Sequence, residues 1–212
     1  MLSFQSFGTF FLFLRHISAF KTYIKVEDIL MTELETQMIS AARKGQAQGY
    51  KYLMNRYGRQ VQLLVAQMVE DMRDVEELTQ DVFVRAFEHL QDYDTSRASF
   101  GTWLSRIAHN TAMNHLRSQG YAPLPLDEGQ YTPPDGLLWA QEEETTHDAE
   151  RLTLLDKAID RLRPEERSLL HMRYYDGHSL GEIAEVMEVA AGPLANRLQR
   201  IRQKLKTIIH NL

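Results

Sequence analysis

Arg106, His109, Asn110, Met113, Asn114 and Arg117 fall on one side of the helix predicted for ASFGTWLSRIAHNTAMNHLR, residues 98–117. Its amides suit the hydrogen-bonding edges of bases and its cations suit phosphates. Surface helices ordinarily mix both signs of charge, yet no Asp or Glu occurs between Asp94 and Asp127. Phe100, Trp103, Leu104, Ile107, Ala108 and Thr111 form an apolar stripe along another side. Trp103 lies on that stripe and is expected in the core rather than stacked on a base. The helix therefore offers nucleic acid a polar, acid-free face.

A second acid-free stretch lies at the other end of the chain. From Val189 to Leu212 there are five basic residues (Arg197, Arg200, Arg202, Lys204, Lys206) and no acids. The whole chain nevertheless carries a net charge of −5. Any affinity for nucleic acid must come from these local patches or be shared with a partner. Other chemistries find little support. The chain has no cysteine, which excludes disulfides and cysteine-held zinc. His109 and His115 are not on one helix face, and His171 and His178 flank the Asp176-Gly177 turn, so no metal site is expected. No phosphate-binding glycine loop, nucleophile elbow or distinctive carboxylate pair is present. The chain is read as no enzyme, with no cofactor.

These faces need helices to carry them. Glu33 to Arg117 contains no proline, and the pattern predicts helices near 33–44, 47–69, 74–92 and 100–117, with Gly45, Gly58 and Gly101 as ends or bends. In the third, Val75, Leu78, Val82, Ala86 and Leu90 make one stripe, and Asp74, Glu76 and Glu77 gather where the helix dipole favours acids. Composition then changes. Residues 118–148 hold four of the six prolines, seven acids and no Lys or Arg, as a linker would. The second block begins at Glu150. Leu152, Leu155 and Ile159 start a helix that Arg163-Pro164 stops, and PEERSLLHMRYY continues to a turn at Asp176-Gly177. Ser179 to Glu182 has capping-box spacing, a break follows near Glu188-Val189, and Leu194, Leu198, Ile201, Leu205 and Ile208 mark the last helix. Two short helices around a tight turn, the second one basic, form a helix-turn-helix.

The expected fold is all-α: a helical domain at 31–117, an acidic, Pro-containing linker at 118–148 and a helix-turn-helix domain at 149–212. The first thirty residues conform to neither block. Their apolar run from Phe10 to Leu14 is cut by Arg15 and His16, too short for a membrane span. Met31 with Thr32-Glu33-Leu34-Glu35 reads as an ordinary start, so residues 1–30 are expected to be an untranslated leader. No stable membrane insertion is expected.

Three stretches together resemble a bacterial RNA polymerase sigma factor of the sigma-70 family, extracytoplasmic-function group. VEELTQDVFVRAFEHL resembles the region 2 helix that docks on the polymerase clamp, and FGTWLSRIAHNTAMNHLR the segment that melts and reads the −10 element. LRPEERSLLHMRYYDGHSLGEIAEVMEVAAGPLANRLQRIRQKL resembles region 4, which reads the −35 element. The resemblance implies a cytoplasmic factor that binds core polymerase and promoter DNA, directs transcription initiation and is held by an anti-sigma protein. The alternative, a stand-alone helix-turn-helix regulator, would leave the region 2 pattern unexplained.

The resemblance also implies roles for particular residues. For the −10 element these are Ser99, Phe100, Arg106, His109, Asn110, Asn114 and Arg117. A flipped base would enter a pocket formed by Thr95 to Gly101 and the start of the polar face, repaying lost stacking with hydrogen bonds. For the −35 element they are Gly192, Pro193, Asn196, Arg197 and Arg200. For polymerase they are Asp74, Glu77, Gln80, Asp81 and Phe83, although Phe83 could equally pack inside. The acidic linker would thread the enzyme's positively charged interior. One departure stands out: the family's Ser or Thr cap followed by Gly-Thr-Val-Lys-Ser-Arg is here AAGPLANR. Ala190 cannot cap, and the missing threonine hydroxyl and lysine (Ala195) remove expected DNA contacts.

Overall fold

The computed structural model describes residues 32–123 and 148–211, and only the backbone of 148–152. The expected leader and nearly all of the expected linker lie outside them. The chain divides into two compact units, residues 1–56 and 57–212.

In the first unit, helix α1 (residues 32–43) ends at Gly45, whose φ of +74° is the left-handed conformation that closes a helix. Helix α2 (Ala47–Ala66) then begins. A Cβ on Gly49 would lie 2.4 Å from the Ala42 nitrogen and 2.6 Å from the Met38 carbonyl oxygen, so only glycine permits this approach of the two helices. Ile39, Ala42 and Leu53 are buried, and Arg56 pairs with Glu35 at 2.8 Å.

The second unit takes up the rest of α2 and continues with α3 (Met72–Glu88), a 3₁₀ turn (Leu90–Asp92) and α4 (Phe100–Ser118). Next come α5 (Asp148–Asp160), α6 (Pro164–Leu170), a π turn (His171–Tyr175), α7 (Leu180–Met187) and α8 (Ala191–His210). The stripe predicted on α3 is buried in full: Val75, Leu78, Val82 and Ala86, with Leu90 just beyond. Asp71 caps α3, its carboxylate accepting from the Arg73 amide at 2.8 Å. Tyr57, Tyr93, Phe100 and Trp103 form an aromatic cluster with ring centroids 5.1–5.5 Å apart. The helix-turn-helix core is Ile183, Val186, Leu194, Leu198 and Ile201, all at 3% exposure or less.

The structure differs from the sequence expectation in four places. Gly58 lies inside an uninterrupted α2 rather than at an end, whereas Gly101 stands at the start of α4 as expected. α2 and α3 stop short of 69 and 92, where the chain turns to bury Met68, Val69 and Leu90. The helix opened by PEERSLL widens to a π turn over HMRYY, closed by Gly177 at φ +74°. Finally, the predicted polar side of α4 is not a solvated face: His109 and Met113 are buried, while Trp103 and Ile107 on the apolar stripe are only partly so.

Candidate nucleic-acid interface

The α4 face is set by its N-terminus. Ser99 sits in extended conformation and its hydroxyl accepts from the Thr102 amide at 3.1 Å, fixing where the helix starts. From that start, Arg106, Asn110, Asn114 and Arg117 run down one side. Arg117 Nη1 donates to Asn114 Oδ1 at 3.0 Å. Arg106 donates from Nε and Nη2 to Glu188 Oε1 at 3.1 and 2.7 Å, and Asn110 Nδ2 donates to the same oxygen at 3.3 Å. These bonds, with the guanidinium charge, hold the Glu188 carboxyl below its ordinary pKa.

Glu188 comes from the turn of the helix-turn-helix, at the C-cap of α7. Its φ and ψ of 57° and 44° are left-handed, uncommon for a side chain longer than Asn or Asp. α7 begins with the predicted capping box: Ser179 Oγ accepts from the Glu182 amide at 3.2 Å, while Glu182 Oε2 accepts from the Ser179 amide at 2.8 Å. The other carboxylate oxygen of Glu182 accepts from Thr102 Oγ1 of α4 at 3.2 Å. α7 therefore lies along α4, and the two helices share a cavity of about 540 Å³ walled by Thr102, Trp103, Arg106, Val186 and Glu188, among others.

His109 faces the second half from the same helix. It is 5% exposed, its Nδ1 has no partner, and burial together with Arg117 pushes its pKa down to about 4. Glu165 of α6, 3% exposed, is one of two acids, with Glu188, whose charge acts on His109. It accepts from the Tyr121 hydroxyl and from Arg197 Nη2 at 3.2 Å. Burial and this carboxylate push the Tyr121 hydroxyl up to about 12. Asp176, His171 and His178 form a further buried group. His171 Nε2 lies 3.7 Å from Asp176 Oδ1, too long for a hydrogen bond. Burial favours neutral forms of all three, raising Asp176 to about 6 despite its hydrogen bond to Gln60. No cluster of three or more His, Asp or Glu able to hold a metal ion occurs among the described residues.

The structure places the remaining expected residues as follows. Phe100 is 1% exposed inside the aromatic cluster, its ring unavailable for stacking without rearrangement. On α8, Gly192 and Pro193 lie in the first turn, after an N-cap Ala190 that makes no side-chain cap bond. Arg197 is turned inward onto Glu165, whereas Arg200 is exposed. On α3, Glu77, Gln80 and Asp81 are exposed together, Asp74 lies 3.2 Å from His115 Nε2, and Phe83 is buried against Phe87. Sequence reasoning missed Glu182, Glu188 and Glu165 as partners of these faces. Only the break expected near Glu188-Val189 marked one of them.

The architecture is that of an all-helical chain carrying an amide-and-arginine helix and, farther along, a helix-turn-helix. Residues 53–121 match the Sigma-70 region 2 family model, and residues 152–205 match Sigma-70, region 4. The RNA polymerase sigma-H factor of Pseudomonas aeruginosa is 27% identical over 87% of this chain and 98% of its own length. The ECF RNA polymerase sigma-E factor of Escherichia coli K12 is 29% identical over 82% of this chain and 94% of its own. Among solved structures, CnrH in complex with the cytosolic domain of CnrY aligns with a TM-score of 0.56 at 21% identity, covering 82% of this chain and 96% of that one. The sigma factor RpoE in complex with the anti-sigma factor NepR from Bartonella quintana aligns with a TM-score of 0.55 at 17% identity, covering 76% and 96%. The chain thus belongs to the sigma-70 family of RNA polymerase sigma factors, in its extracytoplasmic-function group. It is a transcription initiation factor.

Proposed function

We propose that this chain is a cytoplasmic promoter-specificity subunit that divides promoter reading between two helices. α4 reads and melts the −10 element. Asn110 contacts a base edge, and Arg106 and Arg117 take backbone phosphates, with Ser99 and the loop from Thr95 to Gly101 shaping a pocket for a flipped base. Asn114 completes that face, whereas His109, expected there from the sequence, is buried behind it. The start of α8 reads the −35 element through Gly192, Pro193, Asn196 and Arg200 in the major groove, while Arg197, expected from the sequence to join them, is held on Glu165. The exposed Glu77, Gln80 and Asp81 of α3, flanked by Asp74 and Phe83, dock on core polymerase. Domains spanning 31–117 and 149–212, joined through 118–148, accommodate both readings. The chain performs no catalysis of its own.

The single observation supporting this assignment is the order of parts on one chain. The acid-free α4 face lies within the region 2 match and the helix-turn-helix within the region 4 match. An anti-sigma protein is the third proposed partner, since RpoE of Bartonella quintana was solved bound to one. Among the described residues no helix is long and apolar enough to cross a membrane.

The test is co-elution of the purified chain with core RNA polymerase, followed by run-off transcription on genomic fragments. The expected result is association with core and new discrete start sites, weakened about tenfold or more by Asn110→Ala. Binding to a duplex alone, without association with core, would overturn the assignment in favour of a conventional regulator.

A further inference from the structure

The most heavily partnered side chain in the turn of the helix-turn-helix does not serve its own domain. Glu188 places one carboxylate oxygen within hydrogen-bond distance of three donors on α4: Arg106 Nε, Arg106 Nη2 and Asn110 Nδ2. A guanidinium fork beside an amide is the donor set that a phosphate oxygen or a base acceptor would otherwise meet. We propose that Glu188 is a built-in nucleic-acid mimic: in the free chain the second half folds back on the first, and its carboxylate occupies the DNA-reading position on α4. The inference rests on the assignment of α4 to promoter reading.

Three further contacts hold the same closure. Glu182 accepts from Thr102 at 3.2 Å, one turn from the Ser99 cap. Arg167 Nε of α6 donates to the Gln67 carbonyl at 2.6 Å. Val186, fully buried, shares the cavity wall with Thr102 and Trp103. α7 and the turn after it therefore lie against the first half of the α4 face, from Thr102 to Asn110, while Asn114 and Arg117 remain exposed. Geometry also explains why an acid sits in the turn. A left-handed residue projects its side chain away from the course of α7, and Asn or Gly would satisfy that backbone with less strain. Glutamate there adds reach and charge rather than turn stability.

The Arg106 and Glu188 side chains are 52% and 54% exposed. Water and salt screen such a pair, so its loss shifts an open–closed equilibrium only about two- to fivefold. The contact is thus a releasable latch. Core polymerase, by binding both halves apart, would free α4 only when promoter reading is needed.

The experiment uses the full chain with dye pairs at Glu76→Cys and Lys206→Cys. Both positions are exposed and the natural chain has no competing cysteine. Single-molecule energy transfer should show one compact population. Glu188→Asn, which tolerates the left-handed backbone, should move two- to fivefold more molecules into an extended population and raise affinity for a random 20-mer single-stranded DNA. Arg106→Glu should open the chain further, and Arg106→Glu with Glu188→Arg should close it again. An extended wild-type population, or a compact one that none of these variants moves, would overturn the inference. Core binding and run-off transcription report separately on the sigma assignment: a chain that closes through Glu188 yet ignores core would keep the latch and lose that assignment.

Discussion

The two acid-free helices are neutralised in opposite ways. α8 meets acids and a phenol from its own half: Arg197 pairs with Glu165 at 3.2 Å, Lys204 with Glu166 at 2.8 Å, and Arg202 with the Tyr174 hydroxyl at 2.9 Å. α4 meets an acid delivered from 82 residues away, Glu188. Arg197 and Glu165 are nearly inaccessible, with side-chain exposures of 11% and 4%, whereas Arg106 and Glu188 are half exposed. A buried pair is part of the fold, because removing one member strands the other. A half-exposed pair is a reversible contact. The α8 cations are organised by the domain that carries them; those of α4 are held by something that can leave.

The sharpest way to break this contrast is at Glu165. Glu165→Ala deprives the mostly covered Arg197 and the Tyr121 hydroxyl of their shared, buried acceptor and should cost about 3 kcal/mol, read as a lowered urea midpoint. A cost near that of an exposed pair would mean that the two arginines are held alike.

Acid should act next most strongly. His109 titrates near 4 in the folded chain and near 6.5 when unfolded, so the folded state binds fewer protons between those values. Its stabilisation is complete above about pH 6.5 and falls on acidification by about 1.4 kcal/mol per pH unit across the window. The groups facing it are Arg117 on α4, Glu165 on α6, Glu188 after α7 and Arg197 on α8. Asp176 works in the other direction: raised to about 6 from 3.8, it binds a proton on folding and gains stability as pH falls through that range. Denaturant melts between pH 7 and 5 should therefore flatten in His109→Gln and steepen in Asp176→Asn. A wild-type midpoint that rises on acidification would contradict the sign.

Much of this was legible in the chain. The stripe Val75, Leu78, Val82 and Ala86 has one amphipathic solution, and the Ser179 to Glu182 box starts α7 where its spacing says. The uncapped Ala190 was equally readable, because capping depends on one side chain and its neighbours. What escaped is long-range. Nothing local to Arg106 announces Glu188, and helical periodicity left His109 and Met113 on an open face because it counts only the burial a helix arranges with its own neighbours. Phe100 shows the same limit from the other side: its ring is committed to Tyr57, Tyr93 and Trp103, the first of them 43 positions earlier.

The starts of the two helices should respond unequally to repair. Adding a cation with Ala195→Lys should strengthen duplex binding by holoenzyme and steepen its salt dependence by about one phosphate equivalent. The comparison then narrows to the helix starts. Ser99 caps α4 through the Thr102 amide, whereas Ala190 offers α8 nothing. Ser99→Ala should lose about 1 kcal/mol and Ala190→Ser gain a similar amount, seen as opposite shifts in thermal midpoint. Equal and negligible shifts would show that packing alone fixes both starts.

The smallest effect bears most directly on the contrast. A double-mutant cycle on Arg106 and Glu188 should give a coupling of about 0.2–1 kcal/mol, vanishing at high salt. The corresponding cycle on Arg197 and Glu165 should be larger and nearly indifferent to salt, since water and ions reach neither side chain freely. The single variants must be read together with the coupling. Glu188→Gly would relieve the left-handed backbone by a fraction of a kcal/mol while deleting the pair, so its net stability change can be close to zero even as the latch is lost. A neutral stability result at Glu188 is therefore compatible with its proposed role. A salt-insensitive coupling as strong as that of Arg197 and Glu165 is not, because it would make the closure part of the fold rather than a contact that polymerase can release.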